Sequence, residues 1–362
     1  MSTADRPTQH PFNMHTHIHQ QPEAFANAVV RNRDVVDGFA RRIANLDRIF
    51  IVGIGTSWHA ALMAEHFMRE YGGGMPAQAV HSFDFVIYGP PLTERDAVVV
   101  VSHTGGKNYS VEALERVKGS AAPFVLVAGE AGAERHDAVE HLFITVPPEG
   151  SATYTFSYTS ALAVLAQLAG RIGAYRSGTT TLQETLLTDE VPAALRAALD
   201  TENQMRELAT RHANARHIWL AGGGPAGVTA MEVALKIKEA AYLMAEGIPT
   251  EQMLHGPFQA SDPQDLMLLV APAGPAQART TDLAAETAEI GLDLIVVSDG
   301  SYNGPADAVI NVPAVPEAFA AIAALIPLHL FAYWLAIEKG TNPDRFRLDD
   351  ERFARAFALT KL

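Results

Sequence analysis

Short apolar runs alternate with longer helical patterns through the first half of the chain. The runs have the length and β-branched content of buried strands. They are Arg48–Val52, Ala97–Val101, Phe124–Val127 and Leu142–Val146. The longer stretches predict helices at Gln21–Ala40, Trp58–Tyr71, Ser110–Val117 and Tyr158–Ile172. Strands that alternate with helices predict a parallel sheet covered by helices on both faces.

The same alternation of strands and helices begins again after a polar helical span at Leu186–Asn214. Further strands are predicted at Leu266–Val270, Leu294–Val297 and Val309–Val312, and helices at Glu232–Ala245 and Phe319–Glu338. Two similar α/β units in tandem, joined near residues 175–210, account for this repetition. We therefore expect an N-terminal segment with a lead-in helix (1–35), a first domain (36–180), a second domain (200–345) and a C-terminal tail (346–362).

The chain has 362 residues, of which 48% are hydrophobic and 19% charged, enough for two domains with sizeable cores. Its formal net charge of −14 argues against nucleic acid or an anionic membrane surface as a partner. An anionic ligand would therefore need a local source of positive potential. The sequence has no cysteine, no apolar run of membrane-spanning length and no signal-peptide pattern. These features exclude disulfides and thiol nucleophiles and predict a cytoplasmic protein.

One predicted strand runs into a stretch rich in hydroxyl groups and glycine, VVVSHTGGKNYS, which begins at Val99. Ser102, Thr104 and Ser110 offer hydroxyl donors beside the free amides of a helix N-terminus, which suits a tetrahedral oxyanion such as phosphate. An ordinary capped turn between strand and helix would contain the same residue types. The residues alone leave both interpretations open.

Two nucleotide-binding motifs find little support. In a P-loop, Ser or Thr follows the Gly-Lys pair, but here Asn108 follows Lys107. Gly222, Gly224 and Gly227 match the dinucleotide pattern G-x-G-x-x-G. However, no acidic residue clearly ends a second strand about twenty residues later, because that region is predicted to be helical.

Glu232, Lys236 and Glu239 occupy positions i, i+4 and i+7 of a predicted helix, so their side chains share one face. Such a row is often a surface ladder of salt bridges, each worth about 0.3–0.5 kcal/mol. Alternatively, a carboxylate of the row serves as a catalytic base in a dry pocket that raises its pKa.

Three alternating histidines, His15, His17 and His19, precede the first predicted helix. Residues i and i+2 point the same way on a strand, which would let them bind a divalent metal. No carboxylate or cysteine nearby in the sequence completes a ligand set. We therefore expect exposed histidines in an amphipathic lead-in and no metal.

Three segments together resemble the sugar-isomerase (SIS) domains of the isomerase half of glucosamine-6-phosphate synthase. They are GIGTSWHAAL, VVVSHTGGKNYS and EVALKIKEAAYLMAEGIPTEQMLHGP. The resemblance runs from about Ile18 to the C-terminus and implies two tandem SIS domains, each a parallel sheet flanked by helices in a flavodoxin-like three-layer α/β sandwich. Nothing here resembles the glutaminase half, so we do not expect the full synthase reaction in this chain.

The resemblance also assigns the residues that bind the sugar and its anionic group. They are Thr56, Ser57, Ser102, His103, Thr104 and Lys107. His103 stands where the family usually has glutamine, and Lys107 stands where it has threonine. Because Lys107 adds a positive charge, we expect an altered oxyanion loop, which binds a sugar phosphate or prefers a different anion over it, such as a sulfonate or a carboxylate.

Catalytic roles follow from the same resemblance. Glu239 matches the base that moves a proton between C1 and C2 of the open-chain sugar. Lys236 matches a group that orients or stabilises the enediol oxygen. Glu232 matches a residue that holds the hydrogen-bond network of these side chains. His255 matches a histidine that helps to open the sugar ring and reaches the active site of the neighbouring subunit, which implies a homodimer. Lys361 is the nearest counterpart of a lysine in the family's tail, at a different spacing.

These expectations describe a metal-independent aldose–ketose isomerase of an anionic hexose that works through an enediol and needs no cofactor. Two alternatives stay open. An amino-sugar phosphate deaminase or deglycase would use the same catalytic base. A sugar-phosphate-sensing regulator would need no catalytic base. The loop after Leu266–Val270, APAGPAQ, lacks the hydroxyls of Ser102 and Thr104, so we expect one ligand site per chain.

Overall fold

A computed structural model of the chain describes residues 9–360. The chain forms two compact units that interleave along the sequence. The first unit comprises Glu23–Glu149, Phe156–Pro192 and residues 347–360; the second comprises residues 9–22, Gly150–Thr155 and Ala193–Phe346. The domains predicted from the sequence are continuous ranges of residues and therefore differ from these interleaved units. Nothing in the hydrophobic pattern marks the places where the chain passes from one unit to the other.

Five parallel strands form the sheet of the first unit. They are β1 (Arg48–Gly53), β2 (Ala77–His81), β3 (Asp96–Val101), β4 (Phe124–Ala128) and β5 (Leu142–Ile144). Their order is β2-β1-β3-β4-β5. The order reverses between β1 and β3, and the crevice beyond the carboxyl ends of two such strands is where open parallel sheets bind ligands.

In the described part of the chain, six α-helices accompany these strands, and the first of them begins in the second unit. They are α1 (Asn13–Ile43), α2 (Thr56–Tyr71), α3 (Ser82–Tyr88), α4 (Asn108–Lys118), α5 (Glu130–Arg135) and α6 (Phe156–Ser177). The core on one face of the sheet joins Phe50 and Val98 to Phe85 of α3 and Leu114 of α4. Helix α2 packs against β1 and against α6.

The second unit repeats the arrangement of the first. Its strands are β6 (Ile218–Gly222), β7 (Ala245–Pro249), β8 (Leu266–Val270), β9 (Asp293–Ser298) and β10 (Ala308–Asn311). They pair in parallel in the order β10-β9-β8-β6-β7, so each strand has a counterpart at the same place in the first sheet. The predicted fold class, two tandem α/β units with parallel sheets, is confirmed.

The remaining helices complete the described chain. They are α7 (Val191–Ala198), α8 (Glu202–His212), α9 (Pro225–Ala241), α10 (Thr250–Leu254), α11 (Gln277–Ile290), α12 (Glu317–Ala323), α13 (Leu325–Glu338) and α14 (Glu351–Leu359). Helix α13 packs against both α8 and α9. The stretch Glu317–Glu338 has the length and hydropathy of a membrane span, but 94% of its apolar 18-residue window is buried inside the protein, as in a core helix.

Several predicted bounds need correction. Helix α1 begins at Asn13, eight residues before the predicted start at Gln21, and includes the alternating histidines. The helix predicted over Glu232–Ala245 ends at Ala241, and β7 follows at Ala245–Pro249. The sequence missed β2 and β7 because both are short edge strands with incomplete burial, and their hydrophobic pattern is weak.

Candidate active site

The hydroxyl-rich loop lies directly after β3, at the carboxyl edge of the first sheet. Ser102 is buried, and its amide donates to the carbonyl of Val127 on β4 at 2.9 Å. Gly105 has a positive φ of 61° and donates to the carbonyl of Ser102 at 3.1 Å. This tight turn leads into α4, which starts after the exposed Lys107. The loop thus places an ammonium group beside the amides of a helix N-terminus.

His103 is held under this loop by close packing against a second turn. A Cβ atom at Gly129 would lie 2.4 Å from His103 Cε1, so only glycine fits there. The Gly129 amide also donates to the His103 carbonyl at 2.9 Å. Burial lowers the pKa of His103 to about 4, so the ring is neutral at pH 7. His103 therefore brings no positive charge to the loop. Positive charge comes from Lys107 and from Arg135, whose guanidinium would lie 3.3 Å from a Cβ atom at Gly106.

Thr56 and Ser57 lie at the start of α2, in the turn that follows β1. Gly55 precedes them with φ 59° and ψ −131°. Because β1 and β3 are neighbours in the sheet, this turn and the loop after β3 leave the same edge. Thr56 and Ser57 are both half-buried. The first unit thus brings the predicted sugar- and anion-binding residues to one edge of its sheet.

The row on α9 is largely buried. The side chain of Glu232 is fully buried, that of Lys236 is 1% exposed, and that of Glu239 is 20% exposed. Lys236 Nζ lies 2.6 Å from Glu239 Oε2 and 3.5 Å from Glu232 Oε1. A surface ladder of salt bridges is therefore the wrong interpretation. The arrangement presents one carboxylate, Glu239, with a buried cation behind it.

His329 of α13 adds a second buried polar group to this region. Its ring is fully buried and lies 3.3 Å from the Gln21 amide, Nδ1 to Nε2. Burial lowers the pKa of His329 to about 3, an effect that Glu232 opposes and Lys236 reinforces. The imidazole is therefore neutral. Sequence reasoning missed His329, because a histidine inside an apolar helical pattern gives no sign of what it faces.

His255 follows α10 and is exposed, with 69% of its side chain accessible. Its Nε2 pairs with Glu251 Oε1 at 2.8 Å, and Arg279 of α11 bonds the same carboxylate at 2.6 Å. The Arg279 guanidinium, followed by His255, holds the pKa of Glu251 at about 2. The ring is thus oriented by an ionised carboxylate while it faces solvent.

The second unit lacks an equivalent of the hydroxyl-rich loop. After β8, residues 271–277 contain no hydroxyl side chain, and Gln277 Nε2 donates to the carbonyl of Ala271 at 3.1 Å. Gly224 repeats the geometry of Gly55, with φ 56° and ψ −128°. A Cβ at Gly222 would lie 2.6 Å from the backbone of Ala226. These glycines therefore serve a tight turn between strand and helix.

The predicted helix after Gly227 is wrong in part, which bears on dinucleotide binding. The region after Gly227 contains a strand, β7, rather than only helix. Its acidic residue, Glu246, lies at the second position, and the strand ends in Ile248–Pro249. No carboxylate therefore ends β7, where the ribose-binding acid of the fingerprint belongs.

The N-terminal histidines do not alternate on a strand. On helix α1, His15 and His19 lie one turn apart, and Glu202 of α8 contacts both. His17 is buried on another side of the helix, and His15 and His19 are half-buried, so the expectation of exposed histidines is wrong. The sequence missed Glu202, which is distant along the chain. Lys361 lies outside the described residues, so its role stays a prediction.

The family model of the SIS domain matches residues 42–171 and 213–339, one match in each repeat. Glutamine–fructose-6-phosphate aminotransferase (isomerizing) of Pyrococcus horikoshii is 30% identical over 333 residues, which cover 91% of this chain and 55% of that protein. The chain spans about half the length of the curated relatives it matches.

Solved structures share the fold over nearly the whole chain. The C-terminal domain of glucosamine-fructose-6-phosphate aminotransferase from Francisella tularensis gives a TM-score of 0.83 at 23% identity, covering 93% of this chain and 99% of that one. Tagatose-6-phosphate ketose/aldose isomerase from Escherichia coli gives 0.77 at 18%, covering 92% and 95%. Glucosamine-6-phosphate deaminase from Thermotoga maritima gives 0.73 at 19%, covering 92% and 97%.

Proposed function

The chain belongs to the SIS domain family, with one SIS domain in each repeat, and we propose that it is an aldose–ketose isomerase of a hexose that carries an anionic group. The observation that carries the proposal is the α9 row, in which Glu239 alone of the three side chains is partly exposed. The relatives and structural neighbours of the chain include proteins named as an isomerizing aminotransferase, a ketose/aldose isomerase and a deaminase.

In the proposed reaction, the Glu239 carboxylate removes a proton from C1 of the open-chain ketose. The C1–H electron pair becomes the C1=C2 bond, and the C2 carbonyl oxygen takes up a proton to give the enediol. Glu239 then returns its proton to C2, and the O1 hydroxyl loses a proton as the C1 aldehyde forms. Proton transfer by a positioned carboxylate accounts for the step without a redox cofactor or a metal.

The neighbours of Glu239 have supporting roles in this proposal. The bond from Lys236 Nζ to Glu239 Oε2, at 2.6 Å, orients the carboxylate. Because the Lys236 ammonium is buried, its position favours that orienting role over direct contact with the enediol oxygen. Glu232, at 3.5 Å, balances the buried positive charge.

The anion would bind at the loop after β3. Lys107 is exposed at the N-terminal end of α4, where helix dipole and ammonium charge add. We expect Lys107→Gln to weaken binding of fructose 6-phosphate about fivefold, which corresponds to about 1 kcal/mol. Lys118→Gln is the matched control, since Lys118 lies at the other end of the same helix and pairs with Glu115. Equal effects of both variants would contradict the assignment.

Hydrogen–deuterium exchange tests the proton transfer itself. The protein is incubated in D2O with fructose 6-phosphate, glucosamine 6-phosphate or a 6-sulfonated hexose, and C1 and C2 are followed by proton NMR. We expect deuterium at C2 of an aldose product and loss of this exchange in Glu239→Gln. Glu246→Gln, which removes an exposed carboxylate of β7, should behave as the unmodified protein does. Exchange that persists in Glu239→Gln would exclude this residue as the base.

The same experiment separates the two alternatives. A deaminase or deglycase, suggested by the structural likeness to glucosamine-6-phosphate deaminase, would release ammonia from glucosamine 6-phosphate together with the exchange. A sensor would bind a sugar phosphate saturably, with dependence on Lys107, and would show no exchange with any of the three sugars. Either result would replace the isomerase proposal.

A further inference from the structure

Two histidines and a glutamate converge in the second unit, in a cluster that shares no residue with the proposed active site. His15 and His19 lie one turn apart on α1, and Glu202 is the first residue of α8. His15 Nε2 lies 2.7 Å from Glu202 Oε1, and His19 Nε2 lies 3.1 Å from Glu202 Oε2. Each imidazole therefore faces a different oxygen of one carboxylate.

Hydrogen bonds around the cluster fix how these groups present their lone pairs. His19 Nδ1 lies 3.0 Å from the carbonyl oxygen of His15, so Nδ1 carries a proton and donates it. Trp334 Nε1 donates to Glu202 Oε1 at 3.2 Å. Histidines that bind metals almost always donate their other ring nitrogen to a carbonyl or carboxylate oxygen, and carboxylate ligands accept outer hydrogen bonds in the same way.

With Nδ1 protonated, a neutral His19 turns the lone pair of Nε2 toward a carboxylate oxygen only 3.1 Å away. Two acceptors at that distance repel each other unless a positive charge lies beside both. That charge is either a second proton on His19 or a metal ion. The distance is close to that between two ligands on one tetrahedral ion, since bonds of about 2.0–2.1 Å place neighbouring ligand atoms about 3.3 Å apart. The 2.7 Å between His15 Nε2 and Glu202 Oε1 is a direct hydrogen bond, which has to lengthen when an ion enters.

We propose that His15, His19 and Glu202 bind one divalent transition-metal ion, with Zn²⁺ as the best match. Two imidazole nitrogens and one carboxylate oxygen are a ligand set typical of zinc, and they leave a fourth position for water. Calcium and magnesium prefer sites made entirely of oxygen, and monovalent copper prefers sulfur ligands. All three ligand atoms lie within 4.8 Å of one another, and the three residues are only half-buried, so an ion can reach them from solvent.

Zinc at this place joins the first turns of α1 to the start of α8. An ion that binds the folded protein but not the unfolded chain stabilises the fold in proportion to the logarithm of its concentration. The site is structural, since no step of the proposed proton transfer uses these three residues. Its test therefore does not depend on whether the protein is an isomerase.

The test uses the full chain without a histidine tag, freed of metal by a chelator that is then removed. Titration with Zn²⁺ against a chromophoric chelator should show one ion per chain and a rise in the thermal midpoint. His19→Gln and Glu202→Gln should each weaken binding about 100-fold, and Trp334→Phe, which keeps all three ligands, about tenfold. His141→Gln is the matched control, because His141 pairs with Glu140 without a second imidazole.

A measurement on the unmodified protein covers the case in which a variant fails to fold. In a histidine side-chain ¹⁵N spectrum, Zn²⁺ should shift Nε2 of His15 and His19 and leave His141 unchanged. Co²⁺ should give the visible absorption of a low-coordinate site, which Glu202→Gln abolishes. Absence of stoichiometric Zn²⁺ binding, or zinc binding that survives both ligand variants, would overturn the proposal and leave a proton on His19 as the bridging charge.

Discussion

Lys236 carries its charge in a place that excludes water, next to the fully buried Glu232. Removal of one partner of a buried ion pair leaves an uncompensated charge, whereas removal of both is often tolerated. We expect Lys236→Met to lower the free energy of unfolding by about 3–5 kcal/mol, and Glu232→Gln/Lys236→Met to recover much of that loss. Urea unfolding followed by circular dichroism measures both. A double variant as unstable as the single one would show that packing, not charge, holds this helix.

His329 links stability to pH through its burial. Its folded pKa is about 3, below the value of about 6.5 for an exposed histidine, so the unfolded chain binds a proton that the folded protein does not. The contribution of His329 is fully present above pH 6.5 and is lost as pH falls toward 3, by about 1.4 kcal/mol per pH unit. His329→Gln should flatten that slope between pH 6 and 4, measured by urea unfolding. The exposed His255, changed to Gln, is the control, and an equal flattening there would contradict the assignment.

The positions of single residues could be predicted from the sequence where a local motif determines them. They could not be predicted where tertiary packing determines them. The spacing of Glu232, Lys236 and Glu239 placed them on one helical face, but not inside the protein. Glu202 and His329 took their places through contacts with residues more than 180 positions away. No local pattern marks such partners.

The loop after β3 and the turn at Gly129 form one packed element. The backbone of Gly129, with φ −71° and ψ 170°, suits any residue, so the space around it is what requires glycine. A Cβ atom there would lie 2.4 Å from His103 Cε1 and 3.0 Å from the carbonyl oxygen of Val146. We expect Gly129→Ala to push the imidazole out of place, lower the free energy of unfolding by about 1–3 kcal/mol and weaken binding of anionic sugars. Chemical denaturation and isothermal titration calorimetry measure the two effects.

A double variant decides whether His103 is the cause. Gly129→Ala combined with His103→Ser removes the clash with the ring and leaves the 3.0 Å contact with the Val146 carbonyl oxygen, so it should restore part of the lost stability. Gly119→Ala is the control, because its Cβ would lie 3.5 Å from the Glu115 carbonyl oxygen, an ordinary contact. If the serine variant restores nothing, the turn itself and not the ring requires the glycine.

At the scale of elements, strands with buried, β-branched runs were predictable and those at the sheet edges were not. The start of α1 shows a second limit. The amides of Asn13 and Met14 donate to the Asp344 carboxylate at 2.8 and 2.9 Å, which caps the helix from a distant part of the chain. A cap supplied by tertiary structure leaves no signal before the helix, so the predicted start was eight residues late.

At the scale of the whole molecule, the two repeats share a strand order and the same glycine turn, while their chemistry differs. The hydroxyl-rich loop occurs only in the first repeat, and the buried row of α9 only in the second. This division can be recognised in the sequence, because each loop directly follows its strand along the chain. The hydrophobic and polar pattern of one chain does not show which residues of two subunits come together in one site.

We propose that the chain acts as a homodimer in which His255 serves the active site of the other subunit, supported by its exposed ring held by Glu251. Subunit mixing tests this. Homodimers of Glu239→Gln and of His255→Asn should each be inactive, but a mixed dimer keeps one site with an intact Glu239 and an intact His255 from opposite subunits. Half of a statistical mixture is mixed dimer, so isomerase activity should return to about one quarter of normal. No recovery, with exchange of subunits confirmed by mass spectrometry, would place His255 in the site of its own chain.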